Sequence, residues 1–169
     1  LAWAIPPEIE ARINAARQHI GLGPLALGSL AFYPDFKAEA IEPIEAAITA
    51  WGAAHLPLKL TLERVEAVVI GSQRYLAAFA LEPALTLNKA HQALSAALDP
   101  LANKLDDPEA LAFAPRLPVS DQTPAAQFLR LLHQLQAEFA ALEWELGALE
   151  CLQVPEGEQN WEVRGRFGG

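Results

Sequence analysis

The sequence is poor in cysteine and in positive charge, and it has no long apolar run. One cysteine, Cys151, in 169 residues leaves no intrachain disulfide. A disulfide scaffold is thereby excluded, and the cytoplasm is the expected compartment. That cysteine and four scattered histidines have no zinc-ligand spacing, so no metal is expected. Only 12 Lys and Arg stand against 21 Asp and Glu, a net charge of −9. Such a chain lacks the basic face that a duplex phosphate backbone requires, although a small basic pocket stays open to it. The apolar stretches all break before the ~18 residues that a spanning helix needs, and no membrane association is expected. No charged leader precedes an apolar run, so no secretory signal is expected. No glycine pattern matches a P-loop or a dinucleotide fingerprint, and no Gly-x-Ser-x-Gly elbow occurs. No cofactor is therefore expected.

What is present points to a folded chain. Hydrophobic residues make up 52% of it and charged residues 20%, which offsets chain entropy and rules out disorder. The length suits one domain, or two small lobes sharing a core. Leu1 to Ile5 reads as a buried strand stopped by Pro6-Pro7. Ile9, Ile13, Ala16 and Ile20 form one face of a first helix, ended by Gly21 and Gly23. Pro24 to Tyr33 is a strand candidate. Phe36 to Ala54 reads as a helix with Ile41, Ile44, Ile48 and Trp51 in a stripe. Leu58, Leu60 and Leu62 alternate with polar residues as a half-buried strand that continues through Val65 to Ile70. Gly71-Ser72-Gln73 is a turn, and Tyr75 to Leu81 the return strand.

Leu85 to Leu105 reads as a helix kinked or split at Pro100. Leu111 to Val119 carries two prolines, which suits an edge strand. Thr123-Pro124 has the pattern of a helix cap and first turn, followed by the stripe Phe128, Leu131, Leu135, Phe139 and Leu142. Trp144, Leu146 and Ala148 alternate as a strand. Pro155-Glu156-Gly157 is a turn, and Trp161, Val163 and Phe167 share one face of a last strand.

Two stretches have the same layout at a constant offset of 86. Leu60 corresponds to Leu146, Val68 to Val154, Tyr75 to Trp161 and Leu81 to Phe167. A short strand precedes each copy, around Leu27 and around Arg116, 89 residues apart. The reading is a single bilobal α+β domain over residues 1–169. Its pseudo-repeats are 27–81 and 116–167, and residues of both lobes face a shared cleft.

On these features the chain resembles the 2H phosphoesterase superfamily, in its 2′-5′ RNA ligase (LigT-like) and RNA 2′,3′-cyclic phosphodiesterase branch. The resemblance is carried by the opening Leu1-Ala2-Trp3-Ala4-Ile5-Pro6, by Leu30-Ala31-Phe32, by Phe113-Ala114-Pro115 and by the closing Trp161-Glu162-Val163-Arg164-Gly165-Arg166-Phe167. It implies a pseudo-two-fold fold in which two antiparallel sheets form a central cleft, with helices packed outside. It also implies two His-x-Thr/Ser motifs facing across the cleft, one histidine as general base and the other as general acid on a phosphodiester. Both motifs are degenerate in this sequence. The first falls on Leu27-Gly28-Ser29 and the second on Arg116-Leu117-Pro118. Leucine exchanges no proton, and arginine stays protonated at neutral pH. An acid–base pair whose members each contribute ~10²–10⁴-fold is missing.

The resemblance therefore implies a family member that binds a phosphate-containing small molecule such as a nucleotide, or a partner, without the family's catalysis. The candidate ligand residues are Ser29 and Arg116, with Tyr33, Tyr75 and Trp161 as stacking surfaces. Arg116 is alternatively a surface ion pair with an acid such as Asp121. Two other readings stand beside this one: a phosphoesterase with a rearranged site built on Arg116 and Ser29, and a protein-interaction role suggested by the acidic surface. His19, His55, His91 and His133 fall on predicted helices or their ends and are read as core or solvated residues. Cys151 is read as buried and inert.

Overall fold

The computed structural model describes residues 1–25, 32–70, 74–105, 113–154 and 162–168. The expected turns at 71–73 and 155–157, and the sites Leu27, Ser29 and Trp161, lie outside the described residues, as does the middle of the 24–33 strand candidate. Among the described residues the chain runs β1 (Ala2–Trp3), α1 (Pro7–His19), β2 (Phe36–Lys37), α2 (Glu42–His55), β3 (Leu58–Ile70), β4 (Arg74–Glu82) and α3 (Ala84–Leu98). It continues with β5 (Asn103–Lys104), β6 (Arg116–Pro118), β7 (Thr123–Pro124), α4 (Ala125–Glu138), β8 (Leu142–Leu146), β9 (Ala148–Gln153) and β10 (Glu162–Gly168). The fold is α+β, and every strand pairing is antiparallel. Among the described residues no helix is long and apolar enough to cross a membrane.

Four expectations need correction. The helix expected from Phe36 starts at Glu42, because Phe36 and Lys37 pair with Lys104 and Asn103 instead. Those partners come from the expected helix tail, so α3 stops at Leu98 ahead of Pro100 and is not kinked there. Thr123 does not cap α4. Its hydroxyl donates to the carbonyl of Asp121 (3.1 Å), and its backbone pairs with Tyr75. Finally, the alternation Trp144, Leu146, Ala148 is divided at Gly147, and its two halves enter different sheets.

The five-stranded sheet has the order β6-β4-β3-β8, with β7 also on β4; a smaller, three-stranded sheet has the order β1-β9-β10, and β2 with β5 forms a two-stranded one. The offset of 86 reappears in the ladders. Leu60 pairs with Trp144, and Leu58 pairs with Leu146. Advancing Leu60 by 86 gives Leu146, and taking Trp144 back by 86 gives Leu58, so the shift turns one pair into the other. Lys59 pairs with Glu145, its own counterpart. Val65 pairs with Phe79, and the shifted pair, Cys151 with Gly165, is also formed. The copies part at their bulges, which lie between Leu62 and Val65 in one and between Val163 and Gly165 in the other. A bulge inserts one unpaired residue, so the flanking registers differ by one.

The helices cover these sheets with their apolar stripes. In α2, Ile44, Ile48 and Trp51 are buried at spacings of four and three, and the indole Nε1 of Trp51 donates to Ala90 of α3 (2.8 Å). Leu87, Ala90, Leu94 and Leu98 of α3 are buried in the same core. On α4, Phe128 and Leu135 are buried; Phe128 stacks on Tyr75, and Phe139 beyond the helix meets Phe79 edge-on. The pairs α2 with α3 and α1 with α4 are in contact. Glycines set two close approaches: a Cβ on Gly52 of α2 would lie 3.4 Å from the backbone of Gly168, and one on Gly168 would lie 2.4 Å from the carbonyl oxygen of Gly147.

Candidate functional site

Arg116 opens β6, an edge strand whose Pro118 fits the side that lacks a ladder partner. Its neighbours are set by register. Ala80 lies opposite Arg116, Phe79 opposite Leu117 and Ala78 opposite Pro118. Strand side chains alternate between faces. Leu117 and Phe79 therefore enter the core, both nearly inaccessible, while Arg116, Pro118, Ala78 and Ala80 share the other face. Glu66 of β3 lies opposite Ala78 and joins that face.

There Arg116 meets its counter-ion. Its Nε donates to Oε1 of Glu66 at 2.7 Å, while Arg64 approaches Oε2 of the same carboxylate at 3.5 Å. Arg64 also pairs with Glu63. Two guanidiniums and two carboxylates thus form a neutral cluster. The counter-ion expected at Asp121 is instead Glu66, because Asp121 is turned toward Arg17. A guanidinium has five donors, and the Glu66 contact uses the one on Nε. This geometry suits a two-pronged contact with a phosphate or carboxylate that competes with Glu66.

Arg17 is the least exposed cation, 1% accessible on α1. Its Nε donates to the carbonyl of Gly23 and its Nη1 to that of Val119, both at 2.7 Å. Its Nη2 reaches Pro24 at 3.4 Å and Asp121 at 3.5 Å. Arg17 therefore fastens the chain just before residues 26–31 to the chain just after β6. Those are the flanks of the two expected motif positions.

Of the expected residues that are described, Tyr33 and Tyr75 do not join Arg116. Tyr33 is buried, and its hydroxyl donates to Asp99 (2.7 Å), which also takes Lys104 (2.9 Å). Burial first, and then the Asp99 contact, raise the Tyr33 phenol well above its ordinary range. The contacts with Lys104 and Tyr33 lower the Asp99 carboxyl. Tyr75 stacks on Phe128 and shares the core face with Phe79, opposite Arg116. All four histidines are on helices or their ends, and none is on β3, β4 or β6. His19 meets Glu138 (3.1 Å), His55 lies beside Trp51, and His91 stacks flat on Phe113 at 3.8 Å. Burial, and then the nearby Lys104, lower the His91 pKa. Cys151 is buried, which pushes its thiol up. Among the described residues, no three His, Cys, Asp or Glu group as metal ligands.

Two residues of this region were not expected from the sequence, yet each left a signal. Arg17 follows Ile13 by four residues and so occupies the buried stripe of α1, where an arginine needs several acceptors. Glu66 interrupts the apolar run from Val65 to Ile70. No protein-family model matches the chain, and no curated protein matches it.

Proposed function

We propose that the chain is a two-lobed protein of the 2H phosphoesterase kind that has lost the two-histidine chemistry, and that it binds a small phosphate-bearing molecule, such as a nucleotide, at Arg116. The observation that carries this is the position of Arg116. It stands at the second motif position on a strand face with Pro118, Glu66 and Ala80, where the resemblance implies a cleft. The exchange of ladder pairs under the 86-residue shift supports the two-lobed reading. Arginine there supplies charge and donors but no base. With no histidine on β3, β4 or β6, general acid–base catalysis has no group on this part of the sheet whose ordinary pKa is near neutrality.

The test is a calorimetric titration with inorganic phosphate and with a 2′,3′-cyclic nucleotide, beside a hydrolysis assay on the latter. Binding is expected to weaken at least about tenfold in Arg116→Ala, the size of one charge-assisted contact, and to tighten in Glu66→Gln. Hydrolysis is expected to stay at background. Equal binding by Arg116→Ala would remove the ligand site from this residue. Turnover well above background would refute the loss of catalysis.

A further inference from the structure

Half of β3 has an open edge. β8 covers only Leu58 to Leu62, and no strand lies beside Val65 to Ile70 on that side among the described residues. Register shows which backbone groups this edge presents. Ala77 of β4 accepts from Val119 (2.8 Å), and its N–H donates to the Ser120 hydroxyl (2.8 Å), so its polar groups turn away from β3. Ala67 lies opposite Ala77, and in an antiparallel pair its N–H and C=O then turn away from β4. Val65 and Val69, two positions to either side, point the same way. The Val65 carbonyl agrees with this, since it accepts from Nε2 of Gln136 (2.9 Å).

The apolar side chains at this edge are uncovered. Ala67 is exposed and Val69 is 59% accessible, on the sheet face that carries α4. Gln136 fixes which row of α4 looks toward the edge. Leu132 and Leu129 precede it by four and seven residues and share its row. Leu132 is half-buried and Leu129 is 67% accessible, so an apolar helix row runs beside an apolar strand edge.

We infer that this edge pairs with the same edge of a second copy, antiparallel, about a two-fold axis at Ala67. The stretch is complementary to itself in that register. Ala67 faces Ala67 of the second copy, Val65 faces Val69, Glu66 faces Val68 and Arg64 faces Ile70. No like charges are opposed, and the N–H and C=O groups of Ala67 and Val69 gain ladder partners. The axis stands perpendicular to the sheet, so both α4 helices lie on one face and their Leu129–Leu132 rows meet across the joint. Ala125, Leu129, Leu132 and Gln136 carry no charge, which keeps the net charge of −9 away from the contact. Other edges are guarded against such pairing. β8 paired with itself about Trp144 would oppose Glu143 and Glu145, β6 holds Pro118, and β10 carries a bulge and two arginines. Arg116 is on the opposite face of the sheet, so the inference does not rest on the phosphate reading.

Sedimentation equilibrium of the whole chain, from micromolar to near-millimolar concentration, tests this, and a reversible dimer is expected. Ala67→Pro removes an N–H that the β3–β4 ladder does not use and is expected to weaken the dimer at least about tenfold. Leu129→Glu, at an exposed helix position, opposes two carboxylates across the axis and is expected to weaken it as much; it keeps the test valid if the proline disturbs β3. Ala67→Cys places two thiols at the self-facing position, where Cα atoms about 5.5 Å apart permit a disulfide. Mild oxidation is expected to give a covalent dimer there and none with Glu143→Cys on β8, and the buried Cys151 does not compete. A chain that stays monomeric throughout, a dimer unaltered by both Ala67→Pro and Leu129→Glu, or equal cross-linking at positions 67 and 143 would each overturn the inference.

Discussion

Replacing Arg17 by methionine is expected to destabilise the fold by about 3 kcal/mol, because it removes a buried donor set and leaves the acceptors in place. Methionine fills much of the same space, so the loss is one of hydrogen bonding and not of volume. The carbonyls of Gly23 and Val119 each accept from the guanidinium at 2.7 Å, and both lose a charge-assisted bond. Leaving the buried Val119 acceptor without a partner costs ~1–3 kcal/mol, whereas Gly23 is exposed, so its carbonyl turns to water and its lost bond adds about 1 kcal/mol. The contacts to Pro24 at 3.4 Å and Asp121 at 3.5 Å are long and add little. Against this, burying a guanidinium carries its own desolvation penalty, which the variant escapes. About 3 kcal/mol is a large part of the 5–15 kcal/mol of a typical domain, and it corresponds to a fall in Tm of about 6–12 °C for a chain of this size. Arg17→Lys should recover only part of the loss, because one ammonium cannot reproduce the planar fork between two chain segments. Asp121→Asn is the control, since Asp121 is 69% exposed and its loss is expected to cost less than about 0.5 kcal/mol. Urea unfolding of the four proteins measures all of this. A loss below about 1 kcal/mol in Arg17→Met would show that Arg17 does not hold the two segments together.

Two further outcomes follow from the packing and the titration of single groups. The His91 pKa is lowered in the fold by burial and then by Lys104, so the neutral ring is favoured there; its contribution is complete above the ordinary range near 6.5 and is lost as pH falls from there through the lowered value. Tm measured from pH 8 to pH 5 should therefore decline less in His91→Phe than in the parent chain, and parallel profiles would contradict the reading. Gly168→Ala should destabilise by about 1–3 kcal/mol, because its Cβ would meet the Gly147 carbonyl at 2.4 Å; Gly147→Ala, with open space at its own Cβ, should be close to neutral, and equal thermal shifts would refute the close approach.

The apolar periodicities were legible because they answer to local geometry. Ile9, Ile13 and Ala16 on α1, and Ile44, Ile48 and Trp51 on α2, are buried as their spacing requires. The alternation of Leu58, Leu60 and Leu62 gave the core face of β3 for the same reason. What failed was set by distant partners. Phe36 and Lys37 left a helical pattern because Asn103 and Lys104, more than sixty residues away, offered a ladder. Thr123 gave up a cap position for a bridge to Tyr75. The site was legible only as positions. Register put Arg116 and Pro118 on one face as the motif spacing implied, but its partner Glu66 comes from fifty residues away and follows from the pairing of β3, β4 and β6.

If the two stretches are copies of one unit, as the proposed two-lobed reading has it, the ladder between β3 and β8 bears on how they could diverge. When two copies of one strand pair antiparallel about a local two-fold axis, the residue on the axis faces itself. If both copies kept a lysine or both kept a glutamate, like charges would lie directly opposite, which destabilises a sheet. Here the self-facing position holds Lys59 in one copy and Glu145 in the other. Opposite charges in that position contribute ~0.2–1 kcal/mol and favour this register over slipped ones. The pairs on either side, Leu60 with Trp144 and Leu58 with Leu146, keep apolar character, because their face is buried in both copies. On the proposed two-lobed reading a repeat would be constrained where its residues enter the core and free to diverge elsewhere, and at its centre divergence would be favoured. The same division separates Leu117, held in the core by Phe79, from Arg116, whose identity is bound only by what it contacts on the open face.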